Sequence, residues 1–206
     1  MDSEFPNSRH GPLFIYLQIV YNQFTRWGRL QDINKSKRPS GFPRFATWEQ
    51  EIEGETRETR VLAIVTSALF LEAFIFDYIA RRDSSNLAKR LDKLEPPNKW
   101  LIGTRLVCAP GLKTDSQEYS GLKRLFSARN HFVHYKSNSE GDVFDFPELP
   151  DNLLPWDCLD IVGMNLKKLS DLDPDEDIAP LLLRHIRAWV DVSSRDPEFY
   201  PVLTNA

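Results

Sequence analysis

Cysteine is scarce in this chain: Cys108 and Cys158 stand far apart, and no Cys-x-x-Cys pair occurs. That argues against a zinc ribbon or a thioredoxin-type site. Two lone thiols fit a reducing compartment better than a secreted disulfide scaffold. The first residues, Met1 to Pro6, lack a basic flank followed by an apolar run, so no secretory leader is expected and the expected location is cytoplasmic. Glycine is also sparse, with nine residues against fourteen prolines, and the prolines fall between periodic segments. No internal repeat is evident, and strand signals are weak. Only Val143–Phe146 reads as a short strand or extended loop. Excess positive charge is missing too. A net charge of −4 argues against binding nucleic acid over the whole surface, although a local basic patch remains compatible with it.

What is present is helical periodicity. Leu13, Leu17, Val20 and Phe24 mark one side of a first helix over 13–26. Thr47 with Gln50 resembles a capping box and opens a helix running to Arg82, with Gly54 as a point of possible interruption. Residues 61–80 are nearly all apolar and long enough to span a bilayer. Thr66, Ser67, Glu72 and Asp77 interrupt that run. Two carboxylates at membrane depth would be costly, so a central core helix is expected and no membrane association. Ser84 or Ser85 caps a short basic helix, Pro96-Pro97 opens the next, and Pro110-Gly111 makes a turn. Asp115 or Ser116 caps a helix over about 116–136, and another covers about 152–170. A last one is capped by Asp173, with Pro174 in its first position, and ends near Ser194. Trp156 and Trp189 read as core residues. The expected architecture is all-α: an N-terminal helix and loop extension over 1–45, a helical bundle over 46–195 and a tail over 196–206.

Charge is uneven. Residues 140–177 carry twelve Asp or Glu against Lys167 and Lys168 alone, whereas Arg81–Lys93 and Lys123–Lys136 are basic. Solvated helix faces account for such blocks. A functional account lets the two basic segments flank an RNA groove, with Lys123, Arg124 and Lys136 contacting RNA and the acidic part held away from phosphate.

The segment Ser127 to Lys136, Ser-Ala-Arg-Asn-His-Phe-Val-His-Tyr-Lys, concentrates the chemistry. Arg129 always carries its charge and forks onto phosphate. His134 can move a proton near neutral pH, and Asn130 can orient either group. Leu122, Leu125, Phe126, Phe132 and Val133 mark an apolar stripe, and Arg129 falls seven residues after Leu122, inside it. A charge there needs a partner or an aqueous cavity. Glu72, inside the apolar helix, has the same need, so a Glu72–Arg129 pair is one solution. Arg129 and His134 point about 140° apart around the helix, so a cleft or a second chain would have to bring them together. His131 and His134 with Glu72 or Asp77 could instead hold a metal, but the carboxylate-to-His spacing of di-metal bundles is absent.

Leu-Phe-Ser-Ala-Arg-Asn-His-Phe-Val-His-Tyr-Lys resembles the signature of HEPN domains, the higher eukaryotes and prokaryotes nucleotide-binding superfamily. Ala68-Leu69-Phe70-Leu71-Glu72-Ala73-Phe74-Ile75 resembles an early helix of that family. The likeness covers about 45–195. It implies a four-to-five-helix bundle, commonly a homodimer with paired motifs at the interface. Many members are metal-independent endoribonucleases of toxin–antitoxin, phage-defence or RNA-processing systems. Arg129 and His134 match the catalytic pair, Asn130 matches the polar position after the arginine, and Glu72 matches loosely. His131 and Tyr135 would be supporting residues. Some toxins of the family carry a tyrosine two residues beyond the histidine, where an antitoxin modifies it. Here Tyr135 follows His134 directly, a departure from the pattern on which that mode of control depends. The implied activity is RNA cleavage by 2′-hydroxyl transesterification without cofactor or metal, with RNA and an antitoxin or regulatory protein as partners. The alternative is a non-catalytic dimerising module that binds a nucleotide or a protein.

Overall fold

Ala63, Ile64, Ala68, Phe70, Leu71, Phe74, Ile75, Tyr78 and Ile79 come from one stretch of sequence, and all are fully buried. They belong to α2, Thr47–Arg82, the central element of the fold. A computed structural model of the protein describes residues 11–35, 47–133 and 153–193. Among these it contains seven helices and no strand: α1 Gly11–Lys35, α2, α3 Ser85–Leu91, α4 Pro96–Val107, α5 Gln117–Val133, α6 Pro155–Leu172 and α7 Ile178–Ser193. The all-α expectation holds. The Val143–Phe146 run lies outside the described residues.

Among the described residues one helical stretch, Ile52–Arg82, is long and apolar enough to cross a membrane. Of its apolar window, 61% is buried inside the protein, where α1, α3, α4, α5 and α6 all pack against α2. Gly54 does not interrupt it. Phe70, Phe74 and Trp100 of α4 stack in series, with centroids 5.9 and 6.1 Å apart. The Trp100 indole N–H donates to the Leu71 carbonyl at 3.1 Å, which satisfies the one polar atom of a buried ring. α1 runs longer than its expected span, and Leu13, Leu17, Val20 and Phe24 join the same core as the other helices.

Local signals set most helix starts. Ser84 accepts from the Leu87 N–H at 3.2 Å and caps α3. Glu95 precedes α4, with proline at its first positions. Gly111 adopts φ 68°, and a Cβ there would meet the Arg105 backbone at 2.6 Å, so this turn requires glycine. Thr104 Oγ1 then receives the Leu112 N–H at 2.9 Å.

The last helix differs from expectation. Asp173 does not cap it, and Pro174 is not in it: α7 begins at Ile178. Asp173 is taken by the Tyr78 hydroxyl at 2.9 Å and by Arg82 at 2.7 Å. The capping role falls to Glu176, whose carboxylate accepts from the Ile178 and Ala179 N–H groups at 3.0 and 3.3 Å. Trp156, expected in the core, is 36% exposed at the start of α6. Trp189 is partly buried and stacks on Tyr21 at 4.7 Å.

Candidate functional site

Ser116 starts the helix that carries the motif, its hydroxyl accepting from the Tyr119 N–H at 3.2 Å. Tyr119, Leu122, Leu125, Phe126 and Ala128 form the buried face of α5. Gly121 lets α6 approach, since a Cβ there would lie 3.2 Å from Ile161. Toward the end of α5 the covered face turns to the Ala128 side. Arg129 is half-buried at its margin and Val133 is 52% exposed. The expectation that both lie within the apolar stripe is therefore corrected.

Arg129 Nη1 donates to Asn130 Oδ1 at 2.9 Å. Asparagine thus orients the guanidinium directly. The other N–H donors of that guanidinium have no hydrogen-bond or ion-pair partner among the described residues. Glu72 does not pair with Arg129. It lies 3.6 Å from Lys99 Nζ, which also binds Asp92 at 2.6 Å. The Lys99 side chain is completely buried, and an ammonium in that position has the stronger need for counter-charge. His131 is exposed and stands edge-on to Phe132 at 5.8 Å. Asp77 accepts from Arg81 Nε at 2.7 Å, so both carboxylates considered for a metal are in contact with cations. His134, Tyr135 and Lys136 lie outside the described residues.

The groups expected on RNA divide. Lys123 is exposed, with its ammonium 5.1 Å from the Tyr119 ring centroid. Arg124 lines a cleft of about 320 Å³ between α5 and α6, together with Ser120, Asp157 and Asp160. These carboxylates offset its attraction for phosphate. Burial, then the neighbouring Asp157, pushes the Asp160 carboxyl up to about 6.

The acidic part does not stay away from the basic one. Arg81 forks onto Glu176 at 3.0 and 3.1 Å, and Arg82 binds Asp173. The linker between α6 and α7 therefore neutralises the start of the basic segment 81–93. Burial first, then hydrogen bonds to Cys108 and Asp173, holds the Tyr78 hydroxyl far above its ordinary range. Sequence reasoning missed this seam and Lys99 alike. The one available signal for Lys99 was a lysine beside Trp100, Leu101 and Ile102 in an apolar helix.

Comparison with models of known families, with curated proteins and with solved structures gives no match.

Proposed function

We propose that this chain is a metal-independent endoribonuclease of HEPN type, acting on RNA as a homodimer with paired motifs. The observation that carries the reading is the state of Arg129: at the surface, oriented by Asn130, and without a carboxylate partner among the described residues. A structural arginine at the edge of an apolar face would be expected to hold an acid. The acid nominated for that role, Glu72, serves Lys99 instead.

In the proposed reaction the RNA 2′-oxygen attacks the adjacent phosphorus and the bond from phosphorus to the 5′-oxygen breaks. A 2′,3′-cyclic phosphate and a 5′-hydroxyl end result. One base removes the 2′-hydroxyl proton and one acid protonates the leaving oxygen, roles assigned to His134 and its counterpart in a second chain. Arg129 stabilises the charge gathering on the phosphoryl oxygens. Asn130 fixes the fork of Arg129, which narrows the range of phosphate positions that the guanidinium can meet. The free thiols Cys108 and Cys158 suit a reducing, cytoplasmic setting, where an antitoxin or regulatory protein would restrain the activity.

The test is incubation of purified protein with total RNA, with and without EDTA. Cleavage products ending in 2′,3′-cyclic phosphate are expected in both, and DNA should be untouched. His134→Ala should lower the rate by roughly 10²–10⁴-fold with the melting temperature retained. Cleavage at the original rate by that variant would remove the assignment. Binding of RNA or nucleotide without cleavage by the parent chain would favour the non-catalytic alternative.

A further inference from the structure

From Arg81 to Lys99 the chain carries six cations, and the structure separates them into two kinds. Arg81 is held by Asp77 and Glu176, Arg82 by Asp173, and Lys99 by Asp92 and Glu72. Lys89, Arg90 and Lys93 are exposed, and none has a hydrogen bond or ion pair among the described residues. Asp92 lies between Arg90 and Lys93 and would be their natural counter-charge. Its carboxylate is instead drawn to the buried Lys99 ammonium at 2.6 Å. The three free cations, with Asn86, surround one shallow open concavity of about 470 Å³. In a chain of net charge −4 this is a local reversal of sign.

We propose that this concavity on α3 is a docking surface for the phosphate backbone of single-stranded RNA. The inference rests on the proposed nuclease reading for the identity of its ligand. Three long, exposed, uncommitted cations around an open surface suit a chain of repeated charges better than one small anion, which needs an enclosed cradle. A membrane surface is the other common polyanion. Every residue lining the concavity is polar or charged, while the buried residues of α3, Ala88 and Leu91, face the core. The patch therefore offers no apolar side chain for insertion among lipids. α3 packs on α2 and α4, so the surface is built on the bundle rather than on a loop. RNA bound there would be retained by charge alone and independently of base sequence.

The experiment is fluorescence anisotropy of a labelled single-stranded RNA of about twenty nucleotides, titrated with His134→Ala protein so that the probe survives. Titrations over a range of salt concentrations are compared with the same protein carrying Lys89→Ala, Arg90→Ala and Lys93→Ala. Loss of three phosphate contacts should reduce the slope of log affinity against log salt by about 2. At low salt the affinity should fall at least about tenfold, with the melting temperature unchanged. An unchanged slope and affinity would overturn the docking surface. So would binding of phosphatidylserine-containing vesicles, but not RNA, through these residues. The cleavage assay on the parent chain is separate. A parent that cuts nothing, with the triple variant still losing RNA affinity, would refute the nuclease and support the surface. Intact cleavage with unaltered affinity would refute the surface alone.

Discussion

Arg81 and Arg129 are the same residue type near the ends of two helices that pack together, and the fold uses them in opposite ways. Arg81 ends α2, where Glu176, buried on α7's approach, takes both ends of its fork and Asp77 takes its Nε. Arg129 ends α5 with an amide neighbour and no acid among the described residues. A cation fixed in a low-dielectric seam belongs to the structure, because removing it strands a buried carboxylate. A cation oriented by a neutral group at the surface keeps its charge for a ligand. Charge content by itself distinguishes neither case; the partner does.

The same substitution at the two positions should therefore read out in different assays. Arg129→Ala is expected to lower RNA cleavage by roughly 10²–10³-fold, the effect of deleting one donor to developing oxyanion charge. Its unfolding free energy should move by no more than about 0.5 kcal/mol, as for an ordinary surface change. Single-turnover cleavage and urea denaturation on the same sample measure both. A variant that unfolds easily while retaining its cleavage rate would place Arg129 with the structural arginines.

Arg81→Ala should show the converse. Glu176 has no exposed side-chain area and would keep only the two N–H groups that start α7. A loss of about 3 kcal/mol is expected, which for a chain of this size is a fall in Tm of roughly 6–12 °C. Calorimetry gives the value. A drop of under about 1 kcal/mol would mean that the seam contributes little more than a solvent-exposed ion pair.

What could be read in advance follows the distance over which each interaction acts. Ser84, Pro96-Pro97, Pro110-Gly111 and Ser116 act within a few residues, and the helix starts and the one turn that they signal are present. The burial of Leu13, Leu17, Val20 and Phe24 follows from their spacing. Arg81 and Glu176 are 95 residues apart, and no local pattern pairs them. Asp173 looked like a helix cap because nothing nearby shows that Tyr78 and Arg82 compete for it. Glu72 was assigned the wrong cation for a related reason. Lys99 meets it from α4, and only the packing of α4 on α2 reveals that. At the motif, the identity of Arg129 and Asn130 was legible. Their mutual hydrogen bond was not, because it depends on rotamers at a helix end.

Lys99 lies between the two extremes, since it is fully buried but its acids are partly in water. The side chains of Asp92 and Glu72 are 55% and 34% exposed. Lys99→Ala should cost about 2 kcal/mol, chiefly through loss of a packed four-carbon stem. Lys99→Met keeps most of that volume and leaves carboxylates that water can solvate, so less than about 1 kcal/mol should be lost. Equal losses in the two variants, by urea denaturation, would make the charge rather than the stem the stabilising part.

The smallest effect belongs to a carboxylate that the fold strains rather than uses. Asp160 borders the α5–α6 cleft opposite Arg124, yet the two form no ion pair within 4.0 Å. Burial and the nearby Asp157 raise its carboxyl from an ordinary 3.8 to about 6. A raised carboxylate favours its protonated form in the folded state. Its contribution is therefore most favourable below about pH 4 and declines as pH rises from about 4 to about 6, being lost above that range. Partial access to water reduces the penalty at neutral pH to about 1 kcal/mol. Asp160→Asn should recover about that amount at pH 7.5, little or nothing near pH 3.5, and flatten the stability profile between. If the variant is instead less stable at pH 7.5, ionised Asp160 is balanced by Arg124 across the cleft. The second arginine of α5 would then belong with Arg81, as a charge the fold has already committed, and Arg129 would be the arginine of that helix left for phosphate.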